Sequence, residues 1–90
     1  MVSNSIIVVF NSKNHAFHLE KVLKENEYKP NLYNAPGYLS KSCSMAIKID
    51  ESAYDFIVKK ISSNKLDVYR IYKVCYKNNE KIYMVLKKYK

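Results

Sequence analysis

Sixteen Lys and Arg against eight Asp and Glu give this 90-residue chain a formal charge of +8, on a composition that is 48% hydrophobic with one Gly, two Pro, two Cys and nine Tyr. A chain this short buries only about 60% of the surface its unfolded form exposes, so we expect one small domain over 1–90, with no room for a separate cofactor-binding domain. One glycine excludes phosphate-cradling loops of the P-loop or dinucleotide kind, and two cysteines exclude both a disulfide scaffold and a four-cysteine zinc site.

Ser5 to Phe10 is a β-branched apolar run ended by Asn11 and Ser12, which predicts a central strand buried on both faces. This longest apolar stretch falls far short of the roughly 20 residues of a membrane span. With no basic-apolar-small leader pattern before it, we expect a cytoplasmic protein with reduced thiols and no membrane association. Asn11 or Ser12 is a natural N-cap for a helix from Lys13 to Asn26, in which Ala16, Leu19, Val22 and Leu23 share one face. Pro30 restricts Asn31 to Asn34 to a short edge strand. A turn-like stretch, Ala35 to Cys43, follows.

From Ser44 the pattern alternates, with Met45, Ile47 and Ile49 on one face of a strand. Asp50 or Ser52 can cap a second helix carrying the stripe Ala53, Phe56, Ile57 and Ile61, which Ser62, Ser63 and Asn64 end. Val68 to Lys77 is a further strand, and Asn78-Asn79 turns the chain into a closing strand from Lys81 to Lys88. The order predicts an α+β fold: a ferredoxin-like split βαβ sandwich, βαββαβ, with a C-terminal β-hairpin extension. In that topology the start of the first helix and the loop ending at Cys43 share one end of the sheet. Cys75 falls at the other end, about 20 Å away, so a Cys43–Cys75 disulfide is not expected.

The charge is uneven along the chain. Residues 1–67 hold nine cations and seven anions, a net +2, whereas the final 23 residues hold seven cations against Glu80 alone, a net +6. The tyrosines interleaved there, Tyr69, Tyr72, Tyr76, Tyr83 and Tyr89, fit base stacking beside phosphate contacts. Fifteen Lys with one Arg is a poor inventory for bidentate recognition, and lysine also guards edge strands against aggregation. The two expected central strands offer mainly aliphatic side chains, which weakens an RNA-recognition sheet, so nucleic acid is not the favoured partner.

Cys43 closes a polar loop with Ser40, Lys41 and Ser42. A thiol reacts as the thiolate, which a neighbouring cation or the positive end of a helix favours. Lys41 is the local candidate for that cation, and His15 at the start of the first helix is an expected neighbour. The competing reading is a small apolar cysteine packed under its loop, the role we also assign to Cys75. His15 and His18 are spaced for metal binding, but no third ligand is placed to join them, so we expect neither a metal nor a cofactor. Tyr54, Tyr69 and Tyr72 are expected in the core and at its rim.

These residues resemble the small bacterial family of selenium/sulfur carrier-like proteins over Ile6 to about Tyr72. The resemblance rests on the strand Ile6 to Phe10 with the following Glu20-Lys21-Val22-Leu23-Lys24, on the Pro36 to Cys43 loop, on Met45 to Ile49, and on Val68-Tyr69-Arg70-Ile71-Tyr72. The family's loop reads approximately Thr-Pro-Arg, two residues, Ser, one residue, Ser-Cys-Gly. Pro36, Ser40, Ser42 and Cys43 match it, while Ala35, Gly37 and Ser44 replace the Thr, Arg and Gly. Losing the arginine removes a planar cation, and Ser44 makes the backbone after the thiol less permissive than glycine.

The resemblance implies a carrier-like core over 5–72 with a basic hairpin over 73–90. It further implies an accessory protein rather than a turnover enzyme, taking sulfur or selenium on Cys43 from a donor enzyme for an acceptor protein. The rival reading is a binding module that uses the basic, Tyr-rich hairpin on nucleic acid or an acidic protein. A third is a homo-oligomer paired through that hairpin.

Overall fold

The computed structural model describes residues 4–34 and 45–89. Its elements are β1 (Ser5–Phe10), α1 (Lys13–Glu25), β2 (Asn31–Asn34), β3 (Met45–Asp50), a 3-10 turn (Glu51–Ala53), α2 (Tyr54–Asn64), β4 (Val68–Lys77) and β5 (Glu80–Lys88). The strands form one sheet in the order β2-β3-β1-β4-β5, and every neighbouring pair is antiparallel. The chain is therefore α+β. β1 takes the centre because Ile6 to Phe10 are apolar without a break and can be buried on both sides of the sheet.

Local chemistry sets where each helix begins and ends. Ser12 stands at the N-cap of α1 with extended backbone, and its carbonyl accepts the Ala16 N–H at 3.1 Å, although its hydroxyl makes no capping bond. Ala16, Leu19 and Leu23 are buried. Asn26 ends the helix, its side-chain amide donating to the Val22 carbonyl at 2.8 Å. Pro30 is followed at once by β2, which lies on the sheet edge.

Asp50 does cap the next helical segment, accepting the Ser52 N–H at 2.9 Å. The segment opens, however, as a 3-10 turn, and α2 proper starts at Tyr54. At its far end Lys65 adopts a left-handed conformation, φ 51°, and the Leu66 N–H closes back on the Ile61 carbonyl at 3.1 Å.

β4 and β5 are joined through Asn78 and Asn79, with φ of 52° and 65°. Two consecutive positive φ values define a type I′ turn, whose twist matches that of the strands it joins, and asparagine tolerates this region better than most residues. Two register shifts interrupt the ladders of β4. Tyr69 has no counterpart in β1, because Val9 pairs with Arg70 and Phe10 with Val68. Leu86 of β5 has none in β4, because Ile71 pairs with Lys87 and Tyr72 with Val85.

Both helices pack on one face of the sheet. The main core joins Ile6, Val8 and Phe10 of β1 to Leu19 and Leu23 of α1, Ile57 and Ile61 of α2, and Ile47, Ile49 and Ile71 of the flanking strands. Full burial of each such side chain contributes about 1.5–3 kcal/mol. On the other face Ile7, Val9, Ala46, Tyr72 and Val74 form a second buried cluster with Tyr33, Tyr69 and Tyr83 packed against it. No helix among the described residues is long and apolar enough to cross a membrane.

Candidate functional site

At one end of the sheet several chain segments converge. Asn34, the last residue of β2, pairs with Met45, the first of β3; Val9 pairs with Ala46, and Phe10 with Val68 at the head of β4. α1 starts from the same end, immediately after β1. The stretch between Asn34 and Met45 contains Pro36, Ser40, Lys41, Ser42 and Cys43. These five expected site residues, and the predicted turn over 35–43, lie outside the described residues.

His15 is the expected site residue that is described, and it has a definite partner. Its Nδ1 accepts the backbone N–H of Asp67 at 2.7 Å in a part-buried setting. Asn11 adds two bonds to the same residue, its N–H to the Asp67 carbonyl and its side-chain amide to Asp67 Oδ1, each at 3.0 Å. A backbone amide can only donate, so Nδ1 carries no proton and the neutral ring holds its proton on Nε2. While this bond lasts, His15 Nδ1 is not available to act as a base.

His18 is exposed on α1. Among the described residues no three His, Cys, Asp or Glu side chains are grouped to hold a metal ion. Cys75 sits at the opposite end of the sheet, one residue past the Val74 that pairs with Ser5. It is a free, half-buried thiol whose Sγ lies 3.6 Å from Met84 Sδ across the β4–β5 ladder.

Most tyrosines of the basic segment are engaged in packing. Tyr72 is buried and meets Tyr83 edge-on at a centroid distance of 6.5 Å. The Arg70 guanidinium stacks 4.6 Å above the Tyr69 ring. Tyr89 packs into the helix-side core, where its hydroxyl is buried without a hydrogen-bond partner among the described residues. Burial first, and then the neighbouring Tyr54, push the Tyr89 phenol above its ordinary pKa. Tyr76 is the exposed member of the set.

One concavity was not anticipated from the sequence. A cleft of about 390 Å³ opens between the start of α2 and β5, lined by Glu51, Ser52, Tyr54, Asp55 and Leu86. Glu51 Oε2 approaches Lys73 Nζ to 3.4 Å, an ion pair by distance that lacks hydrogen-bond alignment. Both side chains are part exposed, so the pair contributes at most about 1 kcal/mol. Beside it the Ser52 backbone and hydroxyl hold the Asp50 carboxyl below the ordinary carboxylate range. Leu86, which lines the cleft, sits at the β5 register shift, and that shift leaves no mark on the sequence pattern.

The sequence model of the family described as Putative Se/S carrier protein-like matches residues 5–73. The chain belongs to this family. No curated protein and no solved structure matches the chain. The family match takes in the whole stretch between β2 and β3, Cys43 included, and stops inside β4, so β5 lies beyond it.

Proposed function

We propose that this member of the Se/S carrier-like family is a thiol carrier whose working residue is Cys43. The observation that carries the reading is the family match over residues 5–73, within which Cys43 falls. The pairing of Asn34 with Met45 supports it by gathering the flanks of residues 35–44 at the end of the sheet from which α1 starts. The sheet order β2-β3-β1-β4, with both helices packed on one face, likewise supports a ferredoxin-like reading of the core.

In the proposed cycle the Cys43 thiolate attacks the terminal sulfur of a persulfide on a donor enzyme. A new S–S bond forms on Cys43, the donor's S–S bond breaks, and the donor cysteine leaves as its thiolate. A nucleophile on the acceptor then takes the terminal sulfur and returns Cys43 to the thiolate, so no external oxidant or reductant is needed. Selenium would follow the same course. Lys41 is the proposed cation that favours the thiolate, with Pro36, Ser40 and Ser42 shaping the loop around it. The partners are a donor enzyme and an acceptor protein.

The test is intact-mass measurement of the reduced protein after incubation with a cysteine desulfurase and its substrate. We expect a mass gain of one sulfur atom that dithiothreitol removes and that Cys43→Ala abolishes while Cys75→Ala retains it. An unchanged mass across several persulfide donors would overturn the proposal.

A further inference from the structure

The outer strand of the hairpin has an unusual surface. β5 closes one edge of the sheet, and no strand among the described residues pairs with its outer side. An edge strand leaves a row of backbone N–H and C=O groups unpaired, which is the template for adding another strand. Five consecutive residues of β5, Ile82 to Leu86, are apolar, although alternation should make one face of an exposed edge polar. Ile82, Met84, Val85 and Leu86 are 38%, 53%, 43% and 39% exposed. Cations bracket this apolar centre, Lys81 before it and Lys87 and Lys88 after it.

We propose that β5 is a docking edge for an extended segment of a partner protein, apolar in its middle and acidic at its ends, which adds to the sheet as a sixth strand. Main-chain hydrogen bonds supply the pairing, alternate apolar side chains rest on Ile82, Met84 and Leu86 or on Val85, and the flanking lysines select the acidic ends.

Two other occupants fit the surface less well. A second copy paired antiparallel about Met84 would set Lys81 opposite Lys87, and like charges directly opposed across a ladder are destabilising. A single-stranded nucleic acid wants free aromatic faces, whereas Tyr72 is buried and the exposed apolar groups of β5 are aliphatic. The inference is independent of Cys43, and β5 lies outside the family match.

The experiment uses the full chain and a fluorescein-labelled peptide matched to β5 in length, of alternating Val and Thr with two Glu at each end. Fluorescence anisotropy should show saturable binding at low salt, about tenfold weaker when the end residues are Lys and weaker again as salt is added. The triple variant Lys81→Glu, Lys87→Glu, Lys88→Glu changes only exposed side chains and should reverse the preference between the two peptides. Met84→Lys should weaken both, and the β5 amides of the unaltered protein should exchange more slowly with peptide bound.

No saturation up to about 1 mM peptide, or equal binding of acidic-ended and basic-ended peptides, would overturn the proposal. So would tight, salt-sensitive binding of oligothymidylate that the acidic peptide cannot displace, which would assign the surface to nucleic acid. A sedimentation mass of two chains that Met84→Lys reduces to one would assign it to self-pairing.

Discussion

His15 illustrates how a residue changes meaning between the sequence and the fold. Its position at the head of α1 suggests a neighbour for a reactive thiol, and its spacing from His18 suggests a metal pair. The decisive contact is instead with the Asp67 backbone, 52 residues away, a distance over which no local pattern reports. His15→Ala leaves that part-buried N–H without its acceptor, so we expect a loss of about 1–3 kcal/mol in urea unfolding, with the helical signal of the folded state unchanged. The same change should leave sulfur loading of Cys43 intact, because His15 Nδ1 is taken up by the Asp67 N–H and does not act as a base while that bond holds. The Cys43 reading rests instead on a contiguous loop motif, Pro36 to Cys43, which lies outside the described residues.

At the level of elements, boundaries were readable wherever a side chain enforces them. Pro30 before β2 and Asn78-Asn79 between β4 and β5 occupy their expected places because a fixed φ and a positive φ are local properties, whereas Ser12 stands at the α1 N-cap without a side-chain capping bond. The turn between β3 and α2 was harder. Asp50 caps it as expected, yet the helix starts with one tighter turn that sequence spacing does not distinguish from an α-helix. The cap also has a pH signature. The carboxyl is lowered in the folded state, so its contribution is complete above its unfolded value near 3.8 and is lost as pH falls through the folded value. Asp50→Ala should therefore lower the urea midpoint at pH 7, and the difference between variant and parent should shrink as pH falls below that range. A difference that persists unchanged at pH 2 would mean the cap does not act through its charge. The shifts at Tyr69 and Leu86 escaped the sequence, because a bulge depends on how two strands meet.

For the whole molecule, the uneven charge follows the architecture. The nearly neutral part supplies both helices and most of the main core, and the basic part contributes β4 and β5, with Val68, Ile71 and Tyr89 reaching into that core. A domain of this size has little stability in reserve against a net folding free energy of about 5–15 kcal/mol. Phe10, fully buried where β1 meets β4, joins the sheet to the main core. Phe10→Ala should cost about 3–5 kcal/mol and leave a substantial unfolded population on thermal melting, whereas Phe17→Ala, at an exposed position, should be nearly neutral. Equal losses from the two changes would refute this account of the core.

The extra residue at Leu86 bears on solubility. An open edge that is apolar on both faces is a hazard in proportion to its flatness, since growth into filaments requires successive strands to stack without accumulating rotation. A bulge increases local twist and bends the strand that carries it. A short segment that wraps along a bent edge can still be accommodated there, while an unlimited stack of identical sheets is disfavoured. The irregularity thus separates being able to bind from being prone to aggregate, a distinction that composition alone would not make.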